Sequence, residues 1–329
     1  SNRNRNRGNI DNKLAYLGAS STVYDPAFAV PALHALLNAA CQTEDEENPR
    51  QLLSVRKIIS SGALSYIIAA LGSVCPFIRG YALSCLSMTH SLINAETKEK
   101  DAHFRERPQM LLLINFLRNS IDSGLADDRE AEKAALSVPR VPPTLAIFLG
   151  RGVLHLLQVS HSLYGATAKY LLSRPYGDYK DVPLFDLLVV EGDVHTQQAN
   201  KLAVLRVVRD SLSTKEDHLN MCRKHAYQRL MCLFPIVSRD QRVGHVILDV
   251  IDKALSLRVA SRYVLERCNV LSWIQQTVTA VKFAVAPSAS AEVNSEVAAT
   301  GIASNRSLGS VKFLPRFVAL LRKAVGAMD

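Results

Sequence analysis

The sequence predicts an all-α fold, an armadillo- or HEAT-like α-solenoid of stacked antiparallel helices, and three observations carry that prediction. Apolar residues recur at i, i+3, i+4 and i+7 along most of the chain, a period that a strand cannot hold without turning half of its core outward. Short breaks rich in Gly, Pro, Ser and Asp separate these stretches, and several stretches open on a Pro, whose missing N–H costs nothing in a first helical turn. Hydrophobic residues make up 48% of the chain but aromatic residues only 6%, so Leu, Ala and Val dominate the core, a composition that suits helix better than sheet. At 329 residues the chain is long for one compact domain, which points to an extended array.

Residues 1–22 carry Arg3, Arg5 and Arg7 in a polar, low-complexity opening and are expected to form a disordered basic arm. Because the first residue is Ser and no signal-peptide pattern follows, the chain is expected to be a piece of a longer protein. The helical-repeat domain is expected over residues 23–285. Asp25 can cap a first helix with Pro26 at its first position, and Phe28, Leu33, Leu36 and Leu37 fall on one of its faces. The acidic run Glu44 to Glu47, closed by Asn48 and Pro49, reads as a solvated loop.

Leu52, Val55, Ile58 and Ile59 mark a short helix up to Gly62, and Leu64, Ile67, Ile68 and Leu71 mark a second up to Gly72. Pro76 starts a longer one, with Ile78, Tyr81, Ala82, Cys85, Leu86, Thr89 and Leu92 as its stripe. Short, short, long is the grouping of armadillo and HEAT-type repeats. The pattern continues over Met110–Ile121 after Pro108, Leu145–Leu157 after Pro142 and Pro143, Ala166–Leu172 after Ser162, and Leu184–Val190 after Pro183. Further helices are expected from Asp193 through Leu212 and over Tyr227–Phe234, Val243–Leu255, Val259–Arg267 and Leu271–Val285. Trp273, the single Trp, is expected to fill a junction between helices and not to serve as a base-stacking platform.

Residues 286–310, rich in Ala, Ser, Val and Asn, are expected to be a linker. Residues 311–329 hold a basic amphipathic helix, with Leu314, Phe317, Val318, Leu321 and Val325 on one side and Lys312, Arg316 and Lys323 on the other. Such a helix either caps the solenoid or binds a partner, through Lys312, Arg316, Phe317, Leu321 and Lys323 as candidates.

Charge points to the partner class. Lys and Arg outnumber Asp and Glu by 39 to 30, a net charge of +9, and between Lys201 and Arg267 the count is 13 basic to 7 acidic. That bias favours acidic partners, nucleic acid above all. Arg206, Arg209, Arg223, Lys224, Arg229, Arg239 and Arg242 each interrupt or flank an apolar stripe and are the candidate phosphate contacts, read without sequence preference. The opposing reading has them solvated or paired with neighbours such as Asp210 and Asp240.

Catalytic chemistry has no footing here. Gly150, Arg151 and Gly152 are too short a run for a phosphate-cradling loop, and no G-x-S-x-G elbow, H-E-x-x-H helix or DEAD-like sequence occurs. No enzyme activity and no cofactor are expected. No apolar run reaches the eighteen or so residues of a membrane span, so no membrane partner is expected. The six cysteines show no C-x-x-C pair and read as reduced thiols. His218, Cys222 and His225 are spaced i, i+4, i+7 with Cys232 beyond them, a pattern with zinc-ligand chemistry. Lys215, Arg223 and Lys224 bracket it and no second closely spaced pair completes it, so buried Cys and partly exposed His are preferred and no metal is expected. His155 and His161, six apart, point to different sides of a helix.

The apolar blocks also read as a family. Tyr24 to Phe28, the block GALSYIIAALGS followed by IRGYAL, and FRERPQMLLLINFLRNSI resemble the C-terminal region of the nucleolar pre-ribosomal-associated protein 1 family. So do YLLSRPYGDYKDVPLFDLLV, KLAVLRVVRDSL, DHLNMCRKHAYQRLMCLF and LERCNVLSWIQQTV, in the same order, over roughly Val23 to Val281. These are helix-packing blocks, not a catalytic signature, and their collinearity carries the likeness. The acidic loop, the connection from Arg129 to Val141 and everything after Ala286 fall outside it. The resemblance implies a non-catalytic helical-repeat scaffold of the nucleolus in early large-ribosomal-subunit assembly. Its implied partners are precursor ribosomal RNA and other assembly factors, among them a second helical-repeat scaffold and an RNA helicase. The alternative of another class is a protein-only solenoid adaptor holding a peptide or partner helix. Such grooves display repeated Asn and Trp residues, and this chain has only Trp273.

Overall fold

A computed structural model describes residues 25–42, 55–95, 104–125, 138–184, 188, 194–237, 240–285 and 313–327. The basic arm over 1–22, the acidic loop, the linker over 286–310, Arg239 and Lys312 lie outside the described residues, as does most of Leu184–Val190.

The described residues form fourteen α-helices and no strand. These are α1 (Pro26–Gln42), α2 (Val55–Ser60), α3 (Ala63–Ala70), α4 (Pro76–Ala95), α5 (Arg107–Leu125), α6 (Pro143–Leu156) and α7 (Tyr164–Ser173). After a single 3-10 turn over Tyr179–Asp181 come α8 (Val194–Ser211), α9 (Lys215–Arg223), α10 (Ala226–Val237), α11 (Gln241–Ser256), α12 (Arg258–Glu266), α13 (Val270–Val285) and α14 (Leu314–Gly326). Local chemistry sets the boundaries. Pro26, Pro76 and Pro143 occupy first helical positions, where a proline loses no hydrogen bond. Asp25 accepts from the Ala27 amide at 2.9 Å and Asp240 from the Arg242 amide at 3.0 Å, so each caps the helix that follows it.

The helices stack as the all-α solenoid reading requires. Contacts run in one row from α3 to α6, α8, α11 and finally α14. Other helices flank that row, α4 against α1 and α3, α5 and α7 against α6, and α10 and α12 against α11. Gly150 lets α6 lie directly on α3, since a Cβ there would stand 2.7 Å from the Ser65 carbonyl oxygen. Between α5 and α6 the chain is pinned to the α3–α4 turn. The Val141 amide donates to Leu71 O at 3.2 Å, and Arg140 Nε donates to Gly72 O at 2.8 Å. The buried Arg79 guanidinium donates to Val138 O, Ser73 O and Val74 O at 2.8 to 2.9 Å. Three carbonyls thus replace the water that this cation loses.

Two faces differ from their sequence reading. On α1 the buried positions are Val30 and Leu37, whereas Phe28 and Leu36 face solvent. On α14 the buried edge is Leu320 and Ala324 with Phe317, preceded by Phe313, while Val318, Leu321 and Val325 are exposed. The apolar arc of α14 is wider than one contact face. Its rotation is set by Phe313, which occupies the space above Gly244 of α11, where a Cβ would come within 2.6 Å of the ring.

Candidate nucleic-acid interface

The basic residues singled out by the sequence separate into three groups. Arg223 ends α9, Lys224 caps its C-terminus and Arg229 lies in the first turn of α10, so these three surround one turn, with both arginines exposed and Lys224 half-buried. Arg242 is exposed in the first turn of α11. Arg229 lies eight residues, about 12 Å along the axis, before the end of α10, and Arg242 lies beyond that end. Arg206 and Arg209 lie on α8, Arg206 exposed and Arg209 half-buried.

Arg209 is bound within the protein. Its Nε donates to Asp210 at 2.8 Å and its Nη1 lies 3.6 Å from Asp249 of α11. The bond to Asp210 leads the causes that hold its pKa above the ordinary value. Asp210 also receives Arg151 of α6 at 2.5 Å. Asp249 receives Arg316 of α14 as well, and Asp252 takes Lys323 of α14 at 2.9 Å. Lys253 donates to the Arg209 and Asp210 carbonyls at 2.8 and 3.2 Å, satisfying the C-terminus of α8. Its burial leads the causes that lower its pKa. Oppositely charged groups therefore cross α6, α8, α11 and α14 along the row of stacked helices. Arg209, Asp210, Asp249, Asp252, Lys253 and Ser256 line an open depression of about 290 Å³ there.

The candidate partner-binding residues of α14 are distributed between this lattice and the core. Arg316 and Lys323 are ion-paired, Phe317 is buried and Leu321 is exposed. Phe317 belongs to an aromatic cluster with Phe234 at 5.7 Å and Trp273 at 5.7 Å, all edge-to-face, to which Phe313 adds a contact with Phe234 at 5.4 Å. Such edge-to-face pairs place the positive ring edge on the negative face of the neighbour.

The histidines and cysteines are placed by packing. His218 is buried beside the Tyr227 hydroxyl at 3.0 Å, and burial lowers its pKa. α9 stops at Arg223, so His225 leaves the helix with φ of 50° and is exposed, as is Cys232. Among the described residues no three His, Cys, Asp or Glu side chains gather as metal ligands. His155 and His161 do meet, stacked at 4.4 Å, because the chain turns back after α6. Burial, then His161 and Arg151, pull the pKa of His155 down to about 4.

Arg151 is the functional candidate that charge counting missed. The available signal was its position: a lone Arg in the apolar helix Pro143–Leu156 must find an anion, and the acids within reach are those on neighbouring helices.

A family described as nucleolar pre-ribosomal-associated protein 1 matches residues 64–273, more than half of the 329. Nucleolar pre-ribosomal-associated protein 1 of Homo sapiens is 23% identical over 252 residues, 77% of this chain and 10% of the relative. The protein of that name from Mus musculus is 22% identical over 253 residues, again 77% of this chain and 10% of the relative. The chain therefore spans about a tenth of the length of these relatives. No solved structure matches it.

Proposed function

The chain belongs to the nucleolar pre-ribosomal-associated protein 1 family, and from that membership we propose that it is a non-catalytic scaffold of early large-ribosomal-subunit assembly in the nucleolus. In this role it holds precursor ribosomal RNA by phosphate contacts and pre-ribosomal proteins by shape. The second helical-repeat scaffold and RNA helicase implied by the resemblance belong to the same proposal as assembly partners. The family match carries the reading. Exposed Arg206, Arg223, Arg229 and Arg242 support its RNA component, because solvent-facing cations reach a phosphate backbone without unfolding anything. Arg209 contributes field and not a free fork, since Asp210 and Asp249 already hold it.

The exposed Val318, Leu321 and Val325 on α14 favour a protein contact beside the RNA contact. If that were the whole function, the chain would be a protein-only adaptor. Charge reversal at the α9–α10 turn separates the two. R223E/K224E is expected to weaken association with precursor ribosomal RNA and to flatten its salt dependence, measured by binding at several salt concentrations, while leaving the circular dichroism spectrum unchanged. If both affinity and salt slope survive, these two residues are not contacts. If they survive reversal of the whole basic set, the adaptor reading replaces this one.

A further inference from the structure

Among the described residues, the guanidiniums of the row outnumber the carboxylates that hold them. Arg151, Arg209 and Arg316 share two carboxylates, Asp210 and Asp249. Asp210 takes both Arg151 and Arg209, and Asp249 is divided between Arg209 and Arg316. Arg206 stands one helical turn before Asp210 on the same face of α8 and has no carboxylate partner of its own among the described residues. Arg151 spends only Nη2 on Asp210, so the rest of its fork remains available. Arg316, by occupying Asp249, keeps that acid from fully neutralising Arg209. Packing α6 against α8 brings Arg151 to Asp210, one helical turn from Arg206.

We propose that Arg151 and Arg206 form a two-arginine clamp for a single phosphate group of an RNA backbone, with Asp210 fixing Arg151 and Arg209 supplying further positive field. The inference rests on the RNA reading above and names the place where one phosphate is held. A phosphate suits the site because its oxygens accept from two planar forks at once, whereas a lone carboxylate, Asp210, leaves charge over. The crowding is visible on Arg151. Burial lowers its pKa first, Asp210 offsets that, and Arg206 and Arg209 lower it further, so a second anion relieves an existing repulsion. The contact does not depend on base identity, since nothing in the clamp reaches beyond the phosphate.

The test uses the full chain and a short RNA duplex of arbitrary sequence, with affinity measured by anisotropy across a salt series. Wild type sets the slope of log affinity against log salt. R206A is expected to weaken binding and make that slope shallower, R151M/R206A to weaken binding further and reduce the slope by about one in total, the one phosphate lost, and R206K to retain it. R262A, whose Arg is exposed and paired to Glu266 on α12, is the control with an unchanged slope. Thermal melts of all variants confirm that folding is intact. A wild-type slope for R206A, or a double variant no worse than the single one, overturns the clamp. If R223E/K224E still weakens binding in that case, the RNA reading stands without it. Absence of RNA binding by wild type overturns both.

Discussion

Replacement of Trp273 by Ala is expected to destabilise the chain by about 3 kcal/mol, the lower end for large aromatics, because its ring is half-buried against the core. Trp273 lies on α13 at the point where α10, α13 and α14 meet. Its ring is edge-to-face with Phe234 at 5.5 Å and Phe317 at 5.7 Å. Its indole N–H donates to the Met231 carbonyl at 3.1 Å. Truncation removes both the packing and that bond, and it undercuts the seat of Phe317, so α14 is expected to loosen with it. Denaturant unfolding monitored by circular dichroism reads the loss. W273F should recover most of the stability, because it restores the ring and forfeits only the hydrogen bond, worth about 1 kcal/mol. An Ala variant with wild-type melting and lost RNA binding would instead make the ring a stacking platform.

Asp217→Ala is expected to cost about 3 kcal/mol, a large loss for a residue in a short helix. Asp217 is 2% exposed yet carries a carboxylate. It accepts from Thr144 of α6 at 2.9 Å and from the Thr214 amide and hydroxyl at 3.0 and 2.8 Å, and it donates its own amide to Thr214 Oγ1 at 3.2 Å. The Ser213 amide adds a longer bond at 3.3 Å. One side chain thus completes the capping box of α9 and ties it to the start of α6, seventy-three residues earlier. Ala leaves those donors buried and unmet. Asn is no rescue, since its amide NH₂ would face donors at the position of one carboxylate oxygen. Thermal melts of both variants measure this, and a shift within a degree or two of wild type would show that α6 and α9 do not depend on the contact.

How much of this was legible in the sequence follows from what each feature depends on. Helix existence was legible because period and caps are local: Pro76 and Pro143 start helices where the pattern places them, and Gly62 and Gly72 punctuate α3. The buried face of α14 was not, because five apolar positions span a wide arc and the choice among them is made by Gly244, Asp249 and Asp252 on a distant helix. The candidate site divides the same way. Exposure of Arg206, Arg223 and Arg242 follows from their place beside apolar stripes. Capture of Arg209 by Asp249, and the approach of Arg151 to Asp210, join residues forty and fifty-nine positions apart and exist only once α6, α8 and α11 are stacked. Capping by Asp217 was written in Thr214 and Asp217 themselves, but its link to Thr144 was not.

The salt dependence of binding separates phosphate contact from other modes of RNA capture by this segment. Two RNAs of unrelated sequence and equal length should bind the chain with similar affinity, and both affinities should fall steeply and in parallel as salt rises, by about one unit of slope for each phosphate contact. An affinity that is flat with salt, or that belongs to one sequence alone, would contradict it.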